Sequence, residues 1–208
     1  MPKLARNKEA MLFEIAEEQD GYFTAKQALV AGYSQRMQSY HANNGDWERE
    51  QRGLFHLKYF KDRLDDYMVW YLWSSNRQGK PQGVFSHDTA LSIHDLSTWT
   101  SNKIHMTVPR NFRRFKEIPP CLKLHYAELN QEFITLKNHV AVTTPLKTIF
   151  DLLVSGHVPR HHLLEAMQQC INDGLIHSND IMEADLTKSE RQLLLDCYQA
   201  ASKFKSET

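Results

Sequence analysis

The chain has 208 residues, of which 41% are hydrophobic and 24% charged, and these values exclude both a mini-protein and a disordered chain. Its 25 Lys and Arg residues balance 25 Asp and Glu residues, so the net charge of zero does not indicate a partner. The longest strongly apolar run, Tyr67 to Trp73, is about a third of the length of a bilayer crossing, and the N-terminus lacks an apolar signal core. We therefore expect a cytoplasmic protein with no membrane partner.

Cysteine usage points to the same compartment. Cys121, Cys170 and Cys197 are odd in number, lie far apart and form no Cys-x-x-Cys motif. This pattern favours reduced thiols and argues against both disulfides and a cysteine zinc site.

The first sixty residues begin with three predicted helices. Residues 3–18 carry apolar residues at helical spacing. Thr24 is a typical N-cap for a second helix that ends at Gly32, and Ser34 caps a third helix that runs to about Asn43. In this third helix the spacing of Met37 and Tyr40 predicts that these two form its buried side.

A hairpin follows, with strands at 47–50 and 54–57. Three short helices and then a hairpin are the order of a winged helix-turn-helix. The sequence therefore predicts this DNA-binding fold for residues 1–60.

Residues 61–208 predict a larger α+β domain with a small sheet and C-terminal helices. The expected helices are 62–75, 86–93, 145–154, 160–172 and 187–204, and the expected strands are 104–108, 122–126, 133–136 and 140–142.

The third helix has the composition of a DNA recognition helix. Residues 33–44 contain no Asp or Glu and are rich in side chains that match base edges and phosphates. Lys26, at the start of the second helix, and Arg52, in the hairpin, are predicted to contact phosphates, whereas Glu48 and Glu50 flank Arg49 and oppose such a contact. The predicted DNA-binding residues are Lys26, Ser34, Gln35, Arg36, Gln38, Ser39, His41, Asn43 and Arg52.

Several segments together resemble a known family. Residues 20–60 closely resemble the N-terminal winged helix of AbiEi-type antitoxins from bacterial type IV toxin-antitoxin (abortive infection) systems, and residues 85–97, 104–114 and 142–153 resemble strings that follow it in that family. The residues that carry the N-terminal likeness are Gly21, Thr24, Ala28, Gly32, Ser34, Gly45, Trp47, Arg52 and Gly53.

This resemblance implies an autorepressor that binds double-stranded operator DNA through its N-terminal domain. It further implies a C-terminal domain that opposes a separately encoded nucleotidyltransferase-like toxin. Because one winged domain buries little surface, we expect two copies on DNA. The alternatives are a stand-alone transcriptional regulator and a protein-interaction module without a toxin partner.

Enzymatic chemistry is not expected. The pairs His87-Asp88 and His94-Asp95 are typical of metal phosphohydrolases, but two such pairs on one short helix do not form a ligand pattern. His94 is expected to be a packed or capping histidine. Phosphate-binding loops and nucleophile elbows are also missing from the sequence. We therefore expect no catalytic residues, no metal and no cofactor.

A basic segment lies in the middle of the chain. Residues 77–123 hold 8 basic and 3 acidic residues. The cations peak at Arg110, Arg113, Arg114 and Lys116, between Phe112 and Phe115. Two interpretations fit this segment equally well: a surface that contacts phosphates or a partner, or a solvated loop held by its phenylalanines.

Overall fold

The structure is a computed structural model that describes residues 7–60, 67–114 and 117–203. They form two units: one runs to Gly83 and includes Asn138–Val140, and the other comprises Val84–Lys137 and the residues from Ala141 onward. The first unit contains α1 (Lys8–Glu17), β1 (Tyr22–Thr24), α2 (Ala25–Val30), α3 (Gln35–Asn43), β2 (Trp47–Gln51), β3 (Leu54–Leu57) and α4 (Tyr67–Trp73).

The caps predicted for α2 and α3 are present. Thr24 accepts a hydrogen bond from the Gln27 amide N–H, and the Gln27 side chain accepts one from the Thr24 N–H, which completes a capping box. Ser34 accepts from the Met37 amide and begins α3. Gly32, with a φ of +95°, ends α2 as the sequence predicts.

The strands of the first unit form an antiparallel sheet in the order β1-β3-β2. The helices cover an aromatic core in which Phe23 meets the Trp47 ring edge-on at 4.8 Å and stacks on Phe55 at 5.7 Å. The predicted hairpin is therefore present as β2 and β3, and β1 is a third strand that the sequence did not predict.

The first unit ends later than the boundary at residue 60 that the sequence predicts. The reason is that α4 packs against β1 and β3 of the first unit. The start of the predicted helix 62–75 falls partly outside the described residues.

The second unit contains β4 (Val84–Phe85), α5 (His87–Ile93), β5 (Ile104–Val108), β6 (Leu122–Tyr126), β7 (Ile134–Lys137), β8 (Val140–Thr143), α6 (Pro145–Ser155), α7 (Arg160–Asn172), α8 (Ser178–Glu183) and α9 (Lys188–Lys203). Its sheet has the order β6-β5-β4-β8-β7. β4 pairs antiparallel with β5 and parallel with β8, and β5 pairs parallel with β6. The protein is thus α+β with C-terminal helices, as predicted, and it has two small sheets where the sequence predicts a hairpin and one small sheet.

The main core of the second unit lies among α5, α6, α7 and α9. Fully buried members include Leu91, Ile149, Met167 and Leu194. Thr144 caps α6 through the Lys147 amide, and Pro145 follows at the first helical position, as predicted. Among the described residues, no helix is both long and apolar enough to cross a membrane.

Candidate nucleic-acid interface and histidine cluster

The outward face of α3 carries a polar stripe. Gln35, Arg36, Ser39 and Asn43 are all exposed, and their spacing places them on one side of the helix. Ser39 Oγ also donates to the Gln35 carbonyl at 3.1 Å. This stripe contains no acidic side chain, so its donors and acceptors face solvent without a competing negative charge.

Gln38 does not belong to this stripe, which corrects its predicted role as a base contact. Its side chain is only 4% exposed, and its Nε2 donates to the carbonyls of Ala25 and Tyr33, each at 3.0 Å. Gln38 therefore fastens α3 to the start of α2 and to the turn between the two helices.

The buried side of α3 also differs from the prediction. Tyr40 is 60% exposed, whereas Met37 is half-buried. His41 is half-buried: its ring stacks on Trp47 at 5.0 Å, and its Nδ1 lies 3.0 Å from an Asp46 carboxylate oxygen. His41 thus packs against the hairpin. The side of α3 that faces the core carries Gln38, and Tyr40 lies on the exposed side, contrary to the prediction.

The two predicted phosphate contacts lie at the ends of other elements. Lys26 is exposed, and its ammonium donates to the Arg77 carbonyl. Arg52 is exposed in the β2–β3 turn beside Gly53, which has a φ of +79°. Arg49 lies with its guanidinium 5.3 Å from the Phe55 ring centre.

The basic segment combines features of both interpretations. Arg110, Arg113 and Arg114 are exposed, whereas Phe112 is buried, with the Arg114 guanidinium 6.0 Å from its ring centre. Phe115 and Lys116 lie outside the described residues. Contact of these arginines with phosphate remains a prediction.

A second polar site lies at the α5 end of the five-stranded sheet. His87 begins α5, His105 lies in β5 and His125 in β6. One ring nitrogen from each lies within 4.8 Å of those from the other two. We call these three residues the histidine cluster. The sequence alone does not indicate this grouping, because His87, His105 and His125 are far apart in the chain.

Strand pairing explains how the histidine cluster forms. β5 and β6 are parallel, with His105 opposite Lys123 and Thr107 opposite His125. His105 and His125 are therefore diagonal neighbours on one face of the sheet. His87 stacks on His125, with ring centres 3.7 Å apart and planes inclined by 9°.

Asp88 is the hydrogen-bond centre beside this cluster. The residue is 1% exposed, and its carboxylate lies 3.0 Å from His105 Nδ1, 2.8 Å from His157 Nε2 and 2.6 Å from the donating Trp99 Nε1. Burial alone would raise the pKa of Asp88, but the hydrogen bonds from His105 and Trp99 hold this pKa below its ordinary value. The carboxylate is therefore ionised at neutral pH.

The stacked rings of His87 and His125 favour the neutral form, whereas Asp88 favours the charged form. Burial lowers the pKa of His87 to about 3, and the neighbouring His125 ring adds to this effect. Burial, together with His105, lowers the pKa of His125 to about 4. Both rings are neutral at pH 7. His87 Nδ1 lies 3.0 Å from Ser86 Oγ, which accepts from the Thr107 hydroxyl at 2.8 Å.

An open cavity of about 570 Å³ adjoins this network. Asp88, His105 and His157 form part of its wall, together with Trp99, Lys103 and Lys123. His94 lies outside the network, and its Nε2 is 2.7 Å from the Thr143 carbonyl, which confirms that it is a packed histidine.

Comparison with known proteins shows a likeness of fold. No protein-family model and no curated protein matches the chain. The chain is similar to the crystal structure of the RV2827C protein from Mycobacterium tuberculosis, with a TM-score of 0.61 and 9% identity. The similarity covers 96% of this chain and 79% of that one. At this identity it supports the α+β fold alone.

Proposed function

We propose that the protein is a sequence-specific DNA-binding repressor whose first unit is a winged helix-turn-helix. The order α1, β1, α2, α3, β2, β3 and the short turn between α2 and α3 support this fold. In this proposal α3 enters the major groove and the β2–β3 hairpin is the wing.

The outward stripe of α3 carries the proposal. Gln35, Arg36 and Asn43 present amide and guanidinium groups, which form paired hydrogen bonds with adenine and guanine edges. Gln38 fixes the orientation of the helix from the opposite side. A rigid helix with an outward polar stripe that carries no acid fits the requirements of groove recognition.

The direct test is fluorescence anisotropy with two duplexes. One is the intergenic DNA upstream of the gene, and the other is a shuffled duplex of equal length and composition. We expect Arg36→Ala and Gln35→Ala to reduce the preference for the first duplex by about 10- to 100-fold each, the equivalent of one good base contact. Arg36→Lys is the matched control, because it keeps the charge but loses the paired geometry.

Arg52→Ala should behave differently. A phosphate contact contributes to every sequence, so this variant should weaken binding to both duplexes and lower the slope of log affinity against log salt by about 1. Equal loss on both duplexes for Arg36→Ala would contradict its assignment to base recognition. Weak binding that disappears at moderate salt would favour the protein-interaction module.

We further propose, from the resemblance over residues 10–155, that the repressor is the antitoxin of a type IV system and that its second unit opposes a nucleotidyltransferase-like toxin. A neighbouring reading frame for such a toxin is the first check. Co-expression is the second: Arg36→Ala should still restore growth while losing repression, because the two activities are assigned to different units. If no toxin gene is adjacent, the stand-alone regulator is the better description.

A further inference from the structure

We infer that the histidine cluster is a binding site for a divalent transition metal ion of the Zn²⁺ class, with His87, His105 and His125 as its ligands. This inference concerns the second unit and is independent of DNA binding. Imidazole nitrogen is a preferred ligand for Zn²⁺ and its neighbours in the first transition series.

The distances between the rings are close to those of a metal site. Two nitrogens bound to a tetrahedral Zn²⁺ ion at about 2.0–2.1 Å are roughly 3.4 Å apart. His125 Nε2 and His105 Nδ1 are already 3.4 Å apart, and the full set of three lies within 4.8 Å. The His87 and His125 rings would turn out of their parallel stack as their nitrogens converge on the ion.

Oxygen atoms contact two of the three rings, and one of them has the position of an outer-shell partner. Metal-bound histidines commonly use their second nitrogen on a carboxylate or another oxygen, which fixes the ring. Ser86 Oγ contacts His87 Nδ1 in this way and leaves Nε2 of that ring for an ion. Asp88 instead contacts His105 Nδ1, the same nitrogen that faces His125, so its carboxylate lies beside that ligand atom and could accept the proton that Nδ1 loses when a metal ion binds. Thr107, opposite His125 in the strand pairing, donates to Ser86 and so extends this shell to a second strand.

The charges around the cluster are one buried carboxylate and, in the wall of the adjoining cavity, the ammonium groups of Lys103 and Lys123. Asp88 brings one buried negative charge next to His105. Lys147, a nearby cation, is neutralised within α6 because its ammonium donates to Asp151. His105 also lines the open cavity, which provides a route for an ion from solvent.

The backbone at His87 is strained. Its φ is +52°, in the left-handed region that a residue with a side chain rarely adopts and that costs about 1–2 kcal/mol. Such strained residues are concentrated at functional sites. The strained backbone places the His87 ring directly over His125.

The test is a Zn²⁺ titration of the untagged full chain, after treatment with a chelator, against a chromophoric competitor for the metal. We expect one Zn²⁺ per chain and a loss of about 100-fold or more in affinity for His125→Ala and for His87→Ala. Asp88→Asn should lower affinity by about 10- to 100-fold, because it removes the buried negative charge beside His105 Nδ1. Co²⁺ should give the intense visible absorption of a four-coordinate site in the parent chain and lose it in His125→Ala.

His161→Ala is the matched control, because His161 is exposed on α7 and outside the cluster. This variant should bind Zn²⁺ like the parent chain. Circular dichroism of each variant confirms that the fold is retained, and His125→Ala, at a half-buried position, keeps the test valid if Asp88→Asn does not fold. The inference is overturned if the parent chain cannot compete for Zn²⁺, or if His161→Ala loses as much affinity as His125→Ala.

Discussion

The outward stripe of α3 and the histidine cluster use polar side chains in opposite ways. In α3, neighbours in sequence share one exposed face, and their polar groups point to solvent. In the cluster, three residues from one helix and two strands are brought together, and the buried carboxylate of Asp88 contacts one of them, His105. A local polar pattern thus suits recognition of an external partner, whereas a site assembled from distant residues must also satisfy its own internal hydrogen bonds.

The largest expected effect is at the buried carboxylate. Asp88→Asn should lower the free energy of unfolding by about 2–4 kcal/mol, because the amide group cannot accept from all three donors and each unpaired buried donor costs about 1–3 kcal/mol. Asp95→Asn is the matched control, since Asp95 is 90% exposed and should change stability by less than about 0.5 kcal/mol. Denaturant unfolding measures both. Similar losses of stability in the two variants would contradict the claim that the buried hydrogen bonds of Asp88 cause the effect.

The second largest expected effect is a decrease in stability as the pH falls. His87 and His125 have folded pKa values of about 3 and 4, below the ordinary 6.5, so the unfolded chain binds more protons as the pH falls below 6.5. Stability should therefore decrease between pH 7 and pH 5, by roughly 2 kcal/mol after an allowance for partial solvent exposure. Asp88 does not contribute between pH 7 and pH 5, because its lowered pKa keeps it ionised there. A chelator in the buffer removes any effect of bound metal on stability.

The control for this pH effect is the double variant His87→Gln with His125→Gln. Its stability should depend less on pH in the same window, as followed by denaturant unfolding at pH 7, 6 and 5. An unchanged slope would show that other groups cause the pH dependence.

A smaller change in stability should distinguish the buried side of α3 from its exposed side. Gln38→Ala should cost about 1–2 kcal/mol of stability, because the Ala25 and Tyr33 carbonyls lose a buried donor. Gln35→Ala, the same substitution three residues earlier on the exposed side, should change stability by less than about 0.5 kcal/mol. Thermal unfolding compares them. If Gln35→Ala is the more destabilising variant, the orientation assigned to α3 is wrong.

The smallest expected effect is at Tyr40. This residue is 60% exposed, so Tyr40→Ser should alter the free energy of unfolding by less than about 0.5 kcal/mol. A buried tyrosine at this position would cost several times more on truncation. The measured value therefore tests whether the helix face predicted from hydrophobic spacing or the face seen in the structure is the buried one.

Features that depend on adjacent residues could be predicted from the sequence. Thr24, Ser34 and Thr144 begin helices because each caps a backbone N–H within three residues. The bounds of β5, β6 and α7 were also predicted correctly. Hydrophobic spacing failed for α3, because a long polar side chain such as Gln38 can be buried when backbone carbonyls accept its hydrogen bonds.

The histidine cluster could not be predicted in this way. His105 and His125 are separated by twenty residues in the sequence, and they meet because β5 pairs with β6 in a particular parallel register. Asp88 similarly meets His157 only after α5 and α6 have packed together. The available signal was the number of histidines in and near the predicted strands, but it does not specify which of them become neighbours.

The three cysteines differ in how far they are buried. Cys170 and Cys197 lie in the helical core, where burial raises the pKa of their thiols to about 12 and about 11 and keeps them protonated. Cys121 is partly exposed and immediately precedes β6, the strand that holds His125. A maleimide dye should therefore react at Cys121 in the folded protein without any engineering, and its fluorescence would provide a reporter at the edge of the sheet that carries the three imidazoles.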